Sequence, residues 1–204
     1  MKLLLENWRK FLSEDSRRVI DLPEGVYISF STADGEADFW YASAEDPEGL
    51  GANALGRIGI ETHSKNPEEG PCSGAWKVVA VEAVRGWGPL LYDIAMEHAT
   101  MKGGGLMADR EEVTPMARKI WRHYLNNRDD VISHQLDDLE NTLTPSEEDN
   151  CDQKVSSVSF IAADSSIEST SLSWQESPLS KRYTKDPTSI QALQQVGKWK
   201  RFTP

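Results

Sequence analysis

The 204-residue sequence contains only two cysteines, Cys72 and Cys151, and no apolar run that approaches the length of a membrane-spanning helix. Two cysteines cannot form the several disulfides that hold small secreted domains together, and neither has a partner cysteine at metal-ligand spacing. The four histidines form no HxH or HxxxH pair, so the sequence predicts no metal site. We therefore expect two reduced thiols in a reducing compartment.

Positive charge is also scarce, because 22 Lys and Arg face 33 Asp and Glu, for a formal net charge of -11. This balance argues against a general nucleic-acid binder and against adhesion to an anionic membrane. From Lys181 onward, six basic residues against one acidic residue leave a local charge of +5, so residues 1–180 carry -16. Residues 129–152 hold nine acidic residues and no Lys or Arg. We interpret this stretch as a solvated surface segment, which the basic end of the chain could contact.

The first residues have no secretory h-region, since Glu6 and Asn7 interrupt the apolar opening. The sequence therefore predicts a protein that is soluble and made in a cytoplasm. Residues 3–14 (LLLENWRKFLSE) have helical periodicity, with an apolar stripe that includes Leu4, Trp8 and Leu12. An isolated helix of this length is marginal in water, so it must dock on its own domain or on a partner.

The central part of the sequence predicts an alternation of strands and helices. Alternating residues predict a hairpin of strands 26–32 and 36–42 around Asp34-Gly35. A third strand is expected at 54–63, and 75–84 is apolar enough for a central strand buried on both faces. Further predictions are a helix at 89–102, a short strand at 106–108, a helix at 115–126 capped by Thr114, a strand at 155–163, a Ser-rich loop at 164–177 and a short helix within 187–199.

The segment with the clearest chemistry is the strand, Arg-Gly-Trp-Gly turn and helix at 75–102. A glycine-containing turn that opens a helix directs free backbone N–H groups and the positive end of the helix dipole at one point. Such a site suits a phosphate or pyrophosphate. The lysine of a Walker loop and the third glycine of a dinucleotide fingerprint are both missing, and a tight turn without a ligand is the alternative.

The order of these elements, with VVAVEAVRGWGPLLYDIAMEHA at its centre, resembles the Gcn5-related N-acetyltransferase (GNAT) family over about residues 26–127. The family turn reads Gln/Arg-x-x-Gly-x-Gly/Ala, and Arg85 and Gly88 match its first two fixed positions. The resemblance implies an α+β fold with a mixed, mostly antiparallel sheet flanked by helices. We divide the chain into an N-terminal helix or leader (1–19), a GNAT-like domain (20–165) and a Ser-rich, basic C-terminal extension (166–204).

The resemblance further implies that acetyl-CoA is held by the end of the central strand, which splays from its neighbour, and by the turn amides. The implied cofactor-binding residues are Val81, Ala83, Val84, Arg85, Gly86, Trp87, Gly88, Pro89 and Leu90. Glu82 is the candidate base and Tyr124 the candidate acid, with a solvent-facing or ion-paired Glu and a core-edge aromatic as the alternatives. Leu90 stands where the family has Gly or Ala, and Trp121 stands where it often has the Tyr acid. Asp109-Arg110 is interpreted as structural, with a substrate-facing role as the alternative.

The N-terminus carries a second resemblance, to the opening peptides of tailed-phage proteins. Leu12-Ser13-Glu14 fits the Leu/Ile-x-Glu pattern that prohead proteases of T4-like phages recognise. This resemblance implies a leader that binds a capsid or scaffold protein through residues 1–14 and is removed after Glu14; an ordinary docked helix is the alternative. Two functions therefore stand side by side. One is an acetyltransferase acting on a cationic amine, and the other is a catalytically silent head-interior protein of a virion.

Overall fold

The structure, a computed structural model, describes residues 17–62, 65–110, 113–140, 143–153 and 173–202. Within these ranges the chain forms eight strands and three α-helices. The elements are β1 (Tyr27–Ala33), β2 (Glu36–Ala42), β3 (Gly56–Thr62), β4 (Trp76–Ala83), α1 (Gly88–Lys102), β5 (Leu106–Met107), α2 (Pro115–Asn127), β6 (Val131–Gln135), β7 (Lys181–Lys185), α3 (Thr188–Gln195) and β8 (Trp199–Arg201). The predicted helix at 3–14 and strand at 155–163 lie outside the described residues.

The strands form one mixed sheet in the order β6-β7-β5-β4-β3-β2-β1-β8. The pairs β1/β2, β5/β7 and β6/β7 are antiparallel, whereas β4/β5 and β1/β8 are parallel. Parallel neighbours need a crossover connection, and α1 supplies it between β4 and β5. The predicted α+β class with a mostly antiparallel sheet is confirmed.

The described chain divides into two compact units. Unit one contains residues 17–60, 79–97 and 187–202, and unit two contains the described parts of 61–78 and 98–186. No helix in the described ranges is long and apolar enough to span a membrane.

The β1/β2 hairpin organises unit one, as the sequence predicts. Its register pairs Phe30 with Phe39 and leaves Asp34 and Gly35 in the turn, where Gly35 has φ +68°. Trp199 of β8 stacks on Phe30 with ring centroids 4.5 Å apart, and its ring lies 5.9 Å from that of Phe39. Aromatic contacts of this kind add to the burial of apolar area, so β8 belongs to the core of unit one.

Helix α3 begins after Pro187, whose side chain has no group that could cap the helix. The buried carboxylate of Glu97 on α1 takes this role, because it accepts hydrogen bonds from the amides of Ser189 and Ile190, both at 2.8 Å. The Thr188 hydroxyl donates to the same carboxylate at 3.3 Å. A carboxylate at this end also interacts favourably with the helix dipole.

The core of unit two corrects the prediction for the cysteines. Cys72 and Cys151 are fully buried and joined by a disulfide, so the expectation of two reduced thiols is wrong. The bond crosses 79 residues of sequence, a separation at which the sequence carries no pairing signal. Ala75, Met107 and Leu136 complete the buried cluster around the two sulfurs.

The acidic stretch and the basic end also differ from expectation. Residues 129–152 contain β6 and the buried Asp137, whose carboxylate accepts hydrogen bonds from the amide and hydroxyl of Thr144, so the stretch is not simply solvated surface. Strand β7, which we had assigned to the extension, lies between β5 and β6 in the sheet. As expected, the basic end contacts the acidic stretch, since Lys185 lies 3.7 Å from Asp130.

We expect Glu97→Ala to lower the free energy of unfolding by about 1–3 kcal/mol, because it leaves the buried amides at the start of α3 without an acceptor. Urea unfolding followed by tryptophan fluorescence measures this loss. Glu24→Ala is the matched control, since Glu24 is exposed and makes no hydrogen bond in the described structure. Equal stability of the two variants would contradict the capping role of Glu97.

Candidate cofactor-binding site

Strand β4 changes its environment halfway along its length. Trp76, Lys77 and Val78 are buried, whereas Val79 is 45% exposed and the residues up to Ala83 are exposed or half-buried. The prediction of a strand buried on both faces is therefore wrong for its second half. The physical reason lies in the register, since β5 pairs only with Trp76 and Lys77.

The opposite edge of β4 is held closely by β3. A Cβ atom on Gly56 would collide with the carbonyl oxygen of Glu82 and lie 2.7 Å from the Cα of Ala83. Beyond the end of the strand, the amide of Val84 donates to the carbonyl of Leu55 at 2.9 Å. Residues 79–83 are thus fixed on one side, while among the described residues their other edge has no strand partner. A free edge of this kind can pair with the amides of an extended ligand.

The turn after β4 is formed by a glycine with a positive φ and by backbone hydrogen bonds. Gly86 has φ +90°, a left-handed conformation that glycine adopts without a steric penalty. The amide of Trp87 donates to the carbonyl of Val84 at 3.0 Å, and the amide of Arg17 donates to the carbonyl of Gly86 at 2.9 Å. These bonds define the path of the chain from β4 into α1.

The side chain of Trp87 anchors this turn inside unit one. Trp87 is buried, and its ring meets the ring of Tyr41 edge-on with centroids 5.2 Å apart. The Tyr41 hydroxyl donates to the carbonyl of Trp87 at 2.7 Å. Burial, with a smaller contribution from the charge of Asp93, raises the pKa of Tyr41 far above its ordinary value, so the hydroxyl stays protonated as a donor.

The turn leads directly into a helix terminus. Helix α1 begins at Gly88, and the first amides of a helix have no acceptor within the helix. The side chain of Arg85 is exposed beside this helix terminus. Leu90, which departs from the family pattern, is buried in unit one. Because a phosphate would be bound by backbone amides, a buried side chain at this position leaves the helix terminus available.

The two candidate catalytic residues belong to different units. Glu82 is exposed on β4 in unit one and makes no ion pair with described residues. Tyr124 is buried on α2 in unit two, where the guanidinium of Arg128 lies 5.2 Å from its ring centroid. Trp121 is buried as well and stacks on Tyr183 at a centroid distance of 5.1 Å. The predicted cap of α2 is present, since the Thr114 hydroxyl accepts from the amide of Ala117.

Sequence reasoning missed a buried ion pair at the other end of β4. Lys77 lies 2.7 Å from Glu69 and 3.3 Å from Glu61 in unit two. Burial lowers the pKa of Lys77, but the hydrogen bonds and charges of the two carboxylates outweigh this effect and raise it above its ordinary value. The only available signal was the lysine within an apolar strand. A buried charge needs a partner of opposite charge, so this lysine predicts a carboxylate nearby.

In the described ranges, no group of three or more His, Cys, Asp or Glu side chains is placed to hold a metal ion. No protein-family model, no curated protein and no solved structure matches the chain.

Two glycines that face the same residue provide a test of the site geometry. We expect Gly56→Ala to destabilise the protein by about 1–3 kcal/mol, because the new Cβ overpacks the β3/β4 contact. Gly88→Ala is the matched control, since its Cβ would lie at an ordinary 3.6 Å from the Cβ of Ala83. Thermal unfolding of both variants measures the difference. A Gly56→Ala protein as stable as Gly88→Ala would show that β3 does not constrain the end of β4.

Proposed function

We propose that this chain is an N-acetyltransferase of the GNAT type, which binds acetyl-CoA along β4 and the turn at 84–90 and acts in the cytoplasm of a host cell. The observation that carries the proposal is the exposed second half of β4. This strand parts from its parallel neighbour β5 after two residue pairs and leads directly into a left-handed glycine turn and a helix terminus. A strand edge with no strand partner among the described residues, followed by a helix terminus, matches the order of groups in CoA, in which two pantetheine amides are followed by a pyrophosphate.

Binding would use backbone groups in both places. The pantetheine amides add to the edge of β4 at residues 79–83 in the manner of an extra strand. The pyrophosphate lies against the turn amides and the start of α1, where the helix dipole favours negative charge. Arg85, exposed at this turn, supplies a cation for the phosphates. Specificity therefore depends on the path of the main chain more than on particular side chains.

In the transfer step, the amine nitrogen attacks the thioester carbonyl carbon, a C–N bond forms, and the C–S bond breaks to release CoA thiolate. Glu82, on the exposed edge strand, takes the proton from the amine. The proton for the thiolate comes from solvent. A cationic acceptor fits best, because the charge of -16 on residues 1–180 raises the local concentration of cations.

A second candidate is a virion head-interior protein that keeps the fold without the chemistry. The burial of Trp121 and Tyr124 favours it, because the expected acid position holds an indole that packs in the core. Its leader, residues 1–14, would bind a capsid or scaffold protein and be removed after Glu14; it lies outside the described residues. Intact mass of the protein from particles would show the loss of residues 1–14, and a full-length mass would contradict cleavage.

Acetyl-CoA at 100 times its Kd should stabilise the protein by about 2.7 kcal/mol, which corresponds to a rise in Tm of roughly 5–10 °C. Gly86→Val should abolish this rise, because the added side chain strains and fills the turn. Gly25→Val is the matched control, since Gly25 also has a positive φ, of +77°, but lies in open space. The absence of a shift in the wild type at millimolar acetyl-CoA would contradict the proposed cofactor site.

Turnover separates the two candidate functions. We expect Glu82→Gln to reduce kcat/KM by about 100-fold with unchanged stability, since Glu82 is exposed and would act as the general base. Release of CoA thiol with a polyamine or a lysine-rich peptide as acceptor measures the rate, and Glu24→Gln serves as the control. Acetyl-CoA binding without turnover of any amine would support the silent protein instead.

A further inference from the structure

The disulfide in unit two joins two segments that contain no α-helix or β-strand, although Pro67–Glu69 and Cys72–Gly74 form short 3-10 helices. We call residues 147–152 the acidic segment and residues 69–74 the opposing segment. Three backbone hydrogen bonds connect them, from Cys72 to Asn150 (2.8 Å), from Ser73 to Glu148 (2.6 Å) and from Asp152 to Glu69 (2.7 Å). The Cys72–Cys151 bond lies within this short ladder and is fully buried.

The opposing segment has an unfavourable backbone at the disulfide. Cys72 and Ser73 have φ values of +48° and +51°, in the left-handed region that residues with a Cβ rarely adopt. Two such residues in succession persist only where the surroundings hold them in place. Here the surroundings are the ladder and the disulfide.

Among the described residues, the buried polar atoms that have no hydrogen-bond partner in the closed arrangement include four in unit two. The atoms are Glu69 Oε2, Arg110 Nε, Asn150 Oδ1 and Gln153 Oε1. Buried polar groups are normally hydrogen-bonded, and water would reach the atoms of Glu69 and Asn150, which lie in the two segments, if the segments separated. Hydration therefore favours the open arrangement, and a covalent bond between the two segments opposes it.

The Met107 sulfur contacts both a buried guanidinium and the disulfide. Arg110 is 0% exposed and donates to the carbonyl of Leu179, which fits the structural role expected for it. Its Nη2 is 3.5 Å from the Sδ of Met107, and this Sδ is 3.9 Å from the Sγ of Cys151. A guanidinium at this place stabilises a thiolate on Cys151, and a stabilised thiolate is the better leaving group in thiol–disulfide exchange.

A surface recess lies beside the ladder but is not lined by either cysteine. Its lining residues are Pro71, Ser73, Gly74, Glu147, Glu148 and Arg182. It is therefore bordered by the residues that flank Cys72 and by the acidic segment. Because Ser73 and Glu148 form one of the ladder bonds, separation at this bond would extend the recess towards the disulfide.

We propose that the Cys72–Cys151 disulfide is a redox-controlled lock that keeps the acidic segment closed over the buried charges of unit two, and that a dithiol reductant opens it. One thiolate of the reductant attacks Cys72 Sγ, and Cys151 leaves as a thiolate. The second thiol of the reductant then displaces Cys72. The reductant is oxidised to its own disulfide, while the protein gains two electrons and two protons as two thiols.

Hydrogen exchange of the full-length protein, oxidised and treated with dithiothreitol, tests this lock. Reduction should speed exchange at least tenfold at the ladder amides of Cys72, Ser73 and Asp152. The amides of the β1/β2 hairpin in unit one should exchange at an unchanged rate, which shows that the chain remains folded. Removal of the reductant in air should restore protection. Mass after thiol alkylation should count two modified cysteines only in the reduced sample, because the chain has no other cysteine.

Cys72→Ser/Cys151→Ser is the matched variant and should exchange fast at Asp152 with or without dithiothreitol. If this variant does not fold, the test is the reversible change in hydrogen exchange of the wild-type protein on reduction and reoxidation. Equal exchange of the acidic segment in both redox states would overturn the proposal, as would two alkylated cysteines in the air-oxidised protein. Loss of protection in the β1/β2 hairpin on reduction would overturn it too, because the bond would then be a general staple.

Discussion

The pairing of β4 is the constraint on which the candidate site depends. On one edge the strand is held by β3, so closely that Gly56 has no room for a side chain. On the other edge it pairs with β5 at only two residues. This asymmetry gives the strand a fixed position and leaves five residues with one edge that has no strand partner among the described residues, which is where we propose that the ligand adds. A strand paired on both edges would have no unsatisfied backbone groups to offer, and a strand paired on neither would have no defined position.

Sequence patterns that involve neighbouring residues predicted several elements of the fold correctly. The hairpin around Asp34-Gly35, the Thr114 cap and the turn into α1 all depend on residues a few positions apart, and the structure places them as the sequence predicts. The exposure of β4 could not be predicted in this way, because Val and Ala in succession indicate a buried strand unless the length of the neighbouring strand is known. The sequence predicts a short strand at 106–108, and β5 has two residues, but no pattern in the sequence specifies that it pairs with the first two residues of β4.

The features that the sequence did not predict are those that join distant parts of the chain. Cys72 and Cys151 are 79 residues apart, and Glu97 caps a helix more than 90 residues further on. Strand β7 comes from the segment that we assign, from the sequence, to a Ser-rich, basic C-terminal extension. Its Lys185 is nevertheless buried beside Asp130, because long apolar stems can pack inward while the ammonium group finds a carboxylate. Charge counted along the sequence therefore overestimated how much of this chain faces water.

The two departures from the family pattern have different physical consequences. Leu90 changes a side chain at a place where the proposed interaction is made by backbone amides, and its side chain is buried, so binding of a phosphate does not depend on it. Trp121 changes the side chain at a place where the proposed interaction is a proton transfer, and its indole N–H, although a hydrogen-bond donor, is too weak an acid to protonate a thiolate. Binding and catalysis are therefore separable in this chain. Under the proposed function, the thioester already activates the acetyl group, so the attack of the amine would need the proposed base, Glu82, more than it would need an acid.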